Sequence, residues 1–154
     1  MSSPKVPTRW TEQHFEELSW HDNHVHGISF RNPEEDYSFD LIFDIDHVLE
    51  WIEIPNDGYE YIVAPATLTF HEVDKVVFDV KLAYKEDLAI DFIDRQEITT
   101  DAQRNVGDKL YRWKISLHSS QHDNVIVFES SRFTQELRRE PIRSDDYRLN
   151  EKQR

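Results

Sequence analysis

Apolar and polar residues alternate with a period of two along most of the chain between residues 39 and 137. In one segment Leu41, Phe43 and Ile45 occupy every second position, and the alternation recurs over residues 77–84 and 111–118. This period is typical of β-strands that place one face on a core and the other in water. The sequence therefore predicts an all-β domain whose core includes Leu41, Phe43 and Ile45.

The breaks between these segments are short, as at Asn56–Gly58, and short breaks permit antiparallel hairpins but no parallel crossovers. We therefore predict mainly antiparallel structure of about seven long strands in meander order. Because long strands curl, a barrel or a bent sandwich is expected. Pro65 predicts an edge or a bulge in the strand over residues 59–73. Residues 47–54 fit either an extension of the second strand or a helical turn.

The length of 154 residues fits one domain. Residues 1–10 are predicted to be a loose lead-in, residues 11–138 a single β domain, and residues 139–154 a charged tail that is frayed or docked. Thr11 is a predicted cap for a short helix ending at Leu18. Only residues 99–107 leave room for a longer connection.

The chain has no cysteine, which excludes disulfides and thiolate chemistry. No apolar run near the N-terminus resembles a signal peptide, and no stretch approaches the roughly 20 apolar residues of a membrane span. We therefore expect a cytoplasmic protein with no membrane partner.

The net charge is −13, and a surface of that sign repels nucleic acid and anionic membranes but suits cations and basic proteins. Between Arg31 and Lys75 there are twelve Asp and Glu residues and no Lys or Arg. The alternation predicts that Asp40, Asp44 and Asp46 project outward from one strand face. Such a face is either solvated or covered by a basic partner.

A second cluster of polar residues, Asp22, His24 and His26, is predicted to share one face of an early strand. Two imidazoles at this spacing can ligate one divalent metal such as zinc, with His47 or His71 as a further ligand. The alternative is that these histidines bond to the backbone near a strand start. No catalytic residue is predicted, because the chain lacks a nucleophile elbow and a phosphate-binding glycine loop.

The segment from Leu18 to Asp46 contains His21 and Asp22 before a strand, then Gly27, a turn, and a second strand with Asp44 and Asp46. This arrangement resembles the opening of small bacterial β proteins, some of which are described as immunity proteins of polymorphic toxin systems. The resemblance covers about 35 residues. It implies a bacterial β domain and an immunity-type role, and it implies no catalytic residue.

Three functions follow as hypotheses. The leading one is a non-enzymatic acidic binding protein for a basic protein partner, with Asp40, Asp44 and Asp46 as the contact face. The alternative is a β-barrel that holds a small ligand or a metal and that includes the case of an enzyme. The third is a structural or oligomeric domain. No cofactor other than a divalent metal is expected.

Overall fold

The computed structural model describes residues 7–33, 38–98, 109–119 and 123–154. They form ten strands and two 3-10 turns, over Glu12–Glu17 and Glu151–Gln153. In chain order the strands are β1 (Arg9–Thr11), β2 (His24–Arg31), β3 (Asp40–Ile54), β4 (Gly58–His71), β5 (Asp74–Asp79), β6 (Ala89–Ile98), β7 (Leu110–His118), β8 (Asp123–Ser130), β9 (Arg132–Leu137) and β10 (Ile142–Ser144).

All the strand pairs are antiparallel, and they join into a single open sheet. Its order is β1-β9-β4-β3-β2-β6-β7-β8-β5, with β10 also on β4. The predicted antiparallel all-β class is confirmed. The predicted count of seven was wrong, and within the described ranges the sheet does not close as a barrel. The three additional strands are the short β1 and β10 and a division at Ser131, where the strand expected over residues 125–138 is split into β8 and β9.

The sheet bends strongly over its core. The ring of Phe70 on β4 lies 5.0 Å from Trp113 on β7 and 4.7 Å from Phe128 on β8, although these strands are far apart in the sheet order. Leu41 and Phe43, which the alternation predicts inside, are fully buried in this core. Burial of such side chains contributes roughly 1.5–3 kcal/mol each, so the aromatic centre is a main source of stability.

The alternation over residues 77–84 predicts a buried apolar face, but most of that face is exposed. Phe78 is 42% exposed on β5, which ends the sheet and pairs only with β8 in the described chain. Leu82 and Tyr84 lie beyond the end of β5 and are 57% and 90% exposed. The predicted helix after Thr11 is present as a 3-10 turn, and the Thr11 side chain accepts a bond from Gln13 N–H as a cap. Among the described residues, no helix is long and apolar enough to cross a membrane.

Pro65 lies inside the sheet and not at an edge. The β3–β4 register runs through it without a break, with Asp46 directly opposite. On the opposite side of β4, Ala66 pairs with β9 and Val63 pairs with β10. Pro65 lies between these two ladders, so neither of them requires the N–H that proline lacks. Its carbonyl accepts a bond from Arg138 N–H at 2.8 Å.

Residues 47–54 extend β3, which resolves the open choice between strand and helical turn. With the start of β4 they form a hairpin over residues 49–62, here called the distal hairpin, closed by the turn at Asn56–Gly58. Asn56 and Gly58 have φ angles of 66° and 83°, the left-handed region that Asn and Gly tolerate best.

Both ends of the described chain are held by the sheet. Trp10, in the predicted lead-in, is buried on β1, whereas residues 1–6 lie outside the described residues. Residues 142–154, here called the C-terminal strap, begin with β10 against β4 and continue across the sheet. Leu149 of the strap is 2% exposed and packs with Val48 and Val63. The expected long connection over residues 99–107 also lies outside the described residues.

Candidate functional site

The predicted outward face of β3 is largely covered. Asp40 is 4% exposed and Asp46 is 0% exposed, so the prediction that both project into water was wrong. The alternation fixes which residues share a face but not whether that face is solvated. Only Asp44 of the three keeps substantial exposure, 40% of its side chain.

Asp46 is stabilised by three hydrogen bonds. Its Oδ2 accepts from Leu149 N–H at 2.9 Å and lies 2.6 Å from Nε2 of His26, and its Oδ1 accepts from Nε of Arg154 at 2.9 Å. Two of the three donors belong to the C-terminal strap. A buried carboxylate needs such partners, because an unpaired charge in the interior is strongly unfavourable.

The other two carboxylates are also bound by the chain's own cations. Partial burial raises the pKa of Asp44, but hydrogen bonds from Arg154 and Arg138 outweigh it and hold that pKa below its ordinary value. Asp40 lies near Arg31 and His71, at 3.6 Å and 3.5 Å, and accepts from Glu72 N–H. The acidic face of β3 is therefore neutralised by cationic side chains of the same protein.

His24 and His26 lie together, as their spacing predicts, with ring centroids 4.4 Å apart. Burial, followed by the charges of His26 and Arg148, lowers the pKa of His24 to about 4. Three open cavities meet around these side chains and Arg148, with volumes of about 800, 390 and 410 Å³.

The other predicted metal ligands do not join His24 and His26. Asp22 lies between His21 and His118, with contacts of 3.7 Å and 3.5 Å. The Nδ1 atom of His47 lies 2.7 Å from the Asn23 amide, and His71 contacts Asp40 and Thr134. Within the described ranges, no group of three or more His, Asp or Glu side chains is arranged to hold a metal ion.

A surface that the sequence did not single out lies on the distal hairpin. Trp51 and Tyr59 are 40% and 50% exposed, and Tyr61 and Tyr147 continue the row of rings onto the strap. The Trp51 centroid lies 5.9 Å from Tyr59 and 5.1 Å from Tyr61, and Tyr147 lies 5.8 Å from Tyr61. These four residues are here called the aromatic patch. Exposed large aromatics grouped in this way mark interaction surfaces.

Three carboxylates lie near the aromatic patch: Asp22, Glu53 and Asp146. Glu53 shares the strand face of Trp51 and pairs in register with Tyr59. Burial, and then the charges of Asp22 and Asp146, raise the pKa of Tyr61, and the same three causes raise that of Tyr147. In the described part of the chain, no lysine or arginine forms an ion pair with any of the three.

The sequence carried a signal for this surface. Trp51 and Glu53 alternate with Ile52 and Ile54, and Tyr59 and Tyr61 repeat the period on the facing strand. Once residues 47–54 are assigned to a strand, the register of a tight hairpin places Trp51 opposite Tyr61. The contribution of Tyr147 and Asp146 from the strap has no such local signal.

No protein-family model matches this chain, and no match is found among curated proteins or solved structures.

Proposed function

We propose that this protein is a non-enzymatic binding protein and that its aromatic patch binds a basic protein partner. The observation that carries the proposal is the exposure of Trp51 and Tyr59 among carboxylates that no lysine or arginine of the described chain neutralises. Aromatic side chains supply large contact area with few rotatable bonds, which is why Trp and Tyr dominate the energetics of interfaces.

Charge supports the same proposal. The net charge of −13 attracts a basic partner from a distance, and Asp22, Glu53 and Asp146 act at the point of contact. Asp40, Asp44 and Asp46 add to the long-range potential, but arginines and histidines of the chain already occupy their oxygens. The proposed contact surface is therefore the distal hairpin and not the strand face that was predicted from the sequence.

An immunity-type role is the form of this function that the sequence resemblance implies. In that case the partner is a basic toxin, and an acidic surface with aromatic anchors would bind and block it. Such inhibitors work by tight, rapid association, which electrostatic attraction promotes.

Binding of a defined basic probe tests the proposal. Calorimetry measures the affinity of a peptide of alternating Arg, Lys and Ser, with a peptide of equal length carrying Glu as the comparison. We expect binding of the basic peptide only, with affinity falling steeply as salt rises, because the Debye length shrinks from about 10 Å at 0.1 M to about 3 Å at 1 M.

The site of binding is tested with paired variants. The double variant Trp51→Ala/Tyr59→Ala removes two exposed rings without touching the core, and Phe92→Ala/Tyr84→Ala removes two exposed rings elsewhere. Loss of affinity in the first variant alone is the expected result. Equal affinity for both would show that the peptide is held by net charge and that the aromatic patch is not the site.

A second function, binding of a small polar ligand, is favoured by one observation at the cavity of about 410 Å³. Ser119 and His24 line it, and the Ser119 hydroxyl is buried with no hydrogen-bond partner among the residues that the structure describes. A buried hydroxyl is stabilised by a ligand that bonds to it. A small-molecule library screened by thermal shift tests this, with Ser119→Ala as the variant that should lose the response.

A further inference from the structure

We infer that the aromatic patch recognises an arginine side chain of the partner in preference to a lysine. The inference rests on the proposed function and names the group that the patch binds. It follows from the arrangement of the rings, from the position of His21, and from the way this protein holds one of its own arginines.

The rings of the patch form a corner. The Tyr59 and Tyr61 planes stand at 82° and 75° to the Trp51 indole. The indole and the two tyrosine rings therefore present their faces in steeply different directions within one patch. The electron-rich faces of Trp and Tyr attract cations within about 6 Å of the ring centre.

His21 shows what kind of group fits beside the indole. Its imidazole lies nearly parallel to Trp51, with 6.1 Å between centroids and 19° between planes. The nitrogens of the same ring lie 3.7 Å from an Asp22 oxygen and 3.4 Å from an Asp91 oxygen. The His21 imidazole, a flat ring with nitrogens at its edge, thus has both a parallel aromatic neighbour and carboxylate contacts. A guanidinium is likewise flat and carries nitrogens at its edge.

Arg95 provides a second example within the chain. Its guanidinium carbon lies 4.3 Å from the Phe15 ring centre and 4.4 Å from the Tyr111 ring centre. Its Nη1 also donates to the Glu12 carbonyl at 3.1 Å. This protein therefore already holds one arginine between aromatic rings, with a carbonyl oxygen as the hydrogen-bond acceptor of its guanidinium.

The chemistry of the two cations gives the preference. A guanidinium is planar and weakly hydrated, and its donors match a carboxylate in a two-bond geometry. Asp22, Glu53 and Asp146 supply such carboxylates next to the rings. An ammonium is compact and strongly hydrated, so it loses more on leaving water and gains no stacking.

The test compares two peptides of equal length and charge that differ only in carrying arginine or lysine. Trp10, Trp20 and Trp113 are 8%, 3% and 0% exposed, so quenching of tryptophan fluorescence by the added peptide reports chiefly on Trp51. We expect the arginine peptide to bind about tenfold more tightly, which corresponds to about 1.4 kcal/mol.

Two variants locate the preference. Trp51→Leu and Asp22→Asn, followed by calorimetry, should each bring the two affinities together, whereas Asp79→Asn, an exposed carboxylate on β5, should leave the ratio unchanged. Equal affinities of the unmodified protein for both peptides would overturn the arginine preference and leave the proposed function standing. Binding of neither peptide would contradict the proposed function itself.

Discussion

Nε of Arg154 lies 2.9 Å from Oδ1 of Asp46, a fully buried carboxylate, and this contact joins residues 108 positions apart in the sequence. It fixes the C-terminal strap across β3. The strap in turn supplies Tyr147 to the aromatic patch and Asp146 beside it, so the ion pair helps to position part of the proposed binding surface.

Replacement of the buried carboxylate should be strongly destabilising. Asp46→Asn removes a fully buried charge that Arg154 and His26 contact, while Asp44 remains as a carboxylate partner of Arg154. We expect the free energy of unfolding to fall by about 1.5–3 kcal/mol, the usual contribution of hydrogen bonds to a buried charged group. Urea denaturation at pH 7 measures it. Asp44→Asn is the control, and because Asp44 is 40% exposed its effect should stay below about 1 kcal/mol. Similar small losses for both would contradict the role given to Asp46.

The apolar contact of the strap should matter independently of its charges. Leu149→Ala empties a site that is 2% exposed beside Val48 and Val63. We expect a loss of about 2–5 kcal/mol in denaturant unfolding, as for other buried leucines. Leu82→Ala, at a site 57% exposed, should change stability by less than about 0.5 kcal/mol. Small losses of stability for both Leu149→Ala and Leu82→Ala would show that the strap does not unfold together with the rest of the protein.

The stability should depend on pH through His47. Burial lowers the pKa of His47 to about 4, whereas in the unfolded chain it is near 6.5. Between these values the unfolded state binds a proton that the folded state does not, so stability falls as pH falls from 6.5 to 4, by up to about 1.4 kcal/mol per pH unit. In His47→Gln this contribution is absent. Unfolding free energies measured from pH 8 to 4 should show a shallower fall for the variant below pH 6.5 and parallel curves above it. Parallel curves throughout would show that His47 is not the group responsible.

A conservative change at Arg95 should not be neutral. Arg95→Lys keeps the charge but loses the planar group that lies over the Phe15 and Tyr111 rings. We expect stability to fall by about 1 kcal/mol in thermal or urea unfolding. The matched control is Arg112→Lys, where the side chain is 53% exposed and the expected loss is below about 0.5 kcal/mol. Equal losses would remove Arg95 as the internal example for arginine recognition.

Local features of the fold were determined by the sequence. The period of two placed Leu41, Phe43 and Ile45 inside, because successive side chains of a strand point to opposite faces. Thr11 marked a helical turn and Asn56–Gly58 a hairpin, because capping and left-handed φ angles depend on a few neighbouring residues. These properties require no knowledge of distant contacts.

Coverage of the second sheet face was decided only in the tertiary structure. Asp40 and Asp46 look solvent-exposed in the alternation, yet both are buried, because partners far away in the sequence cover them and satisfy their charges. The aromatic patch likewise combines Trp51 of the distal hairpin with Tyr147 of the strap. The sequence period specifies which side chains share a face, and only long-range packing decides whether that face meets water or another part of the chain.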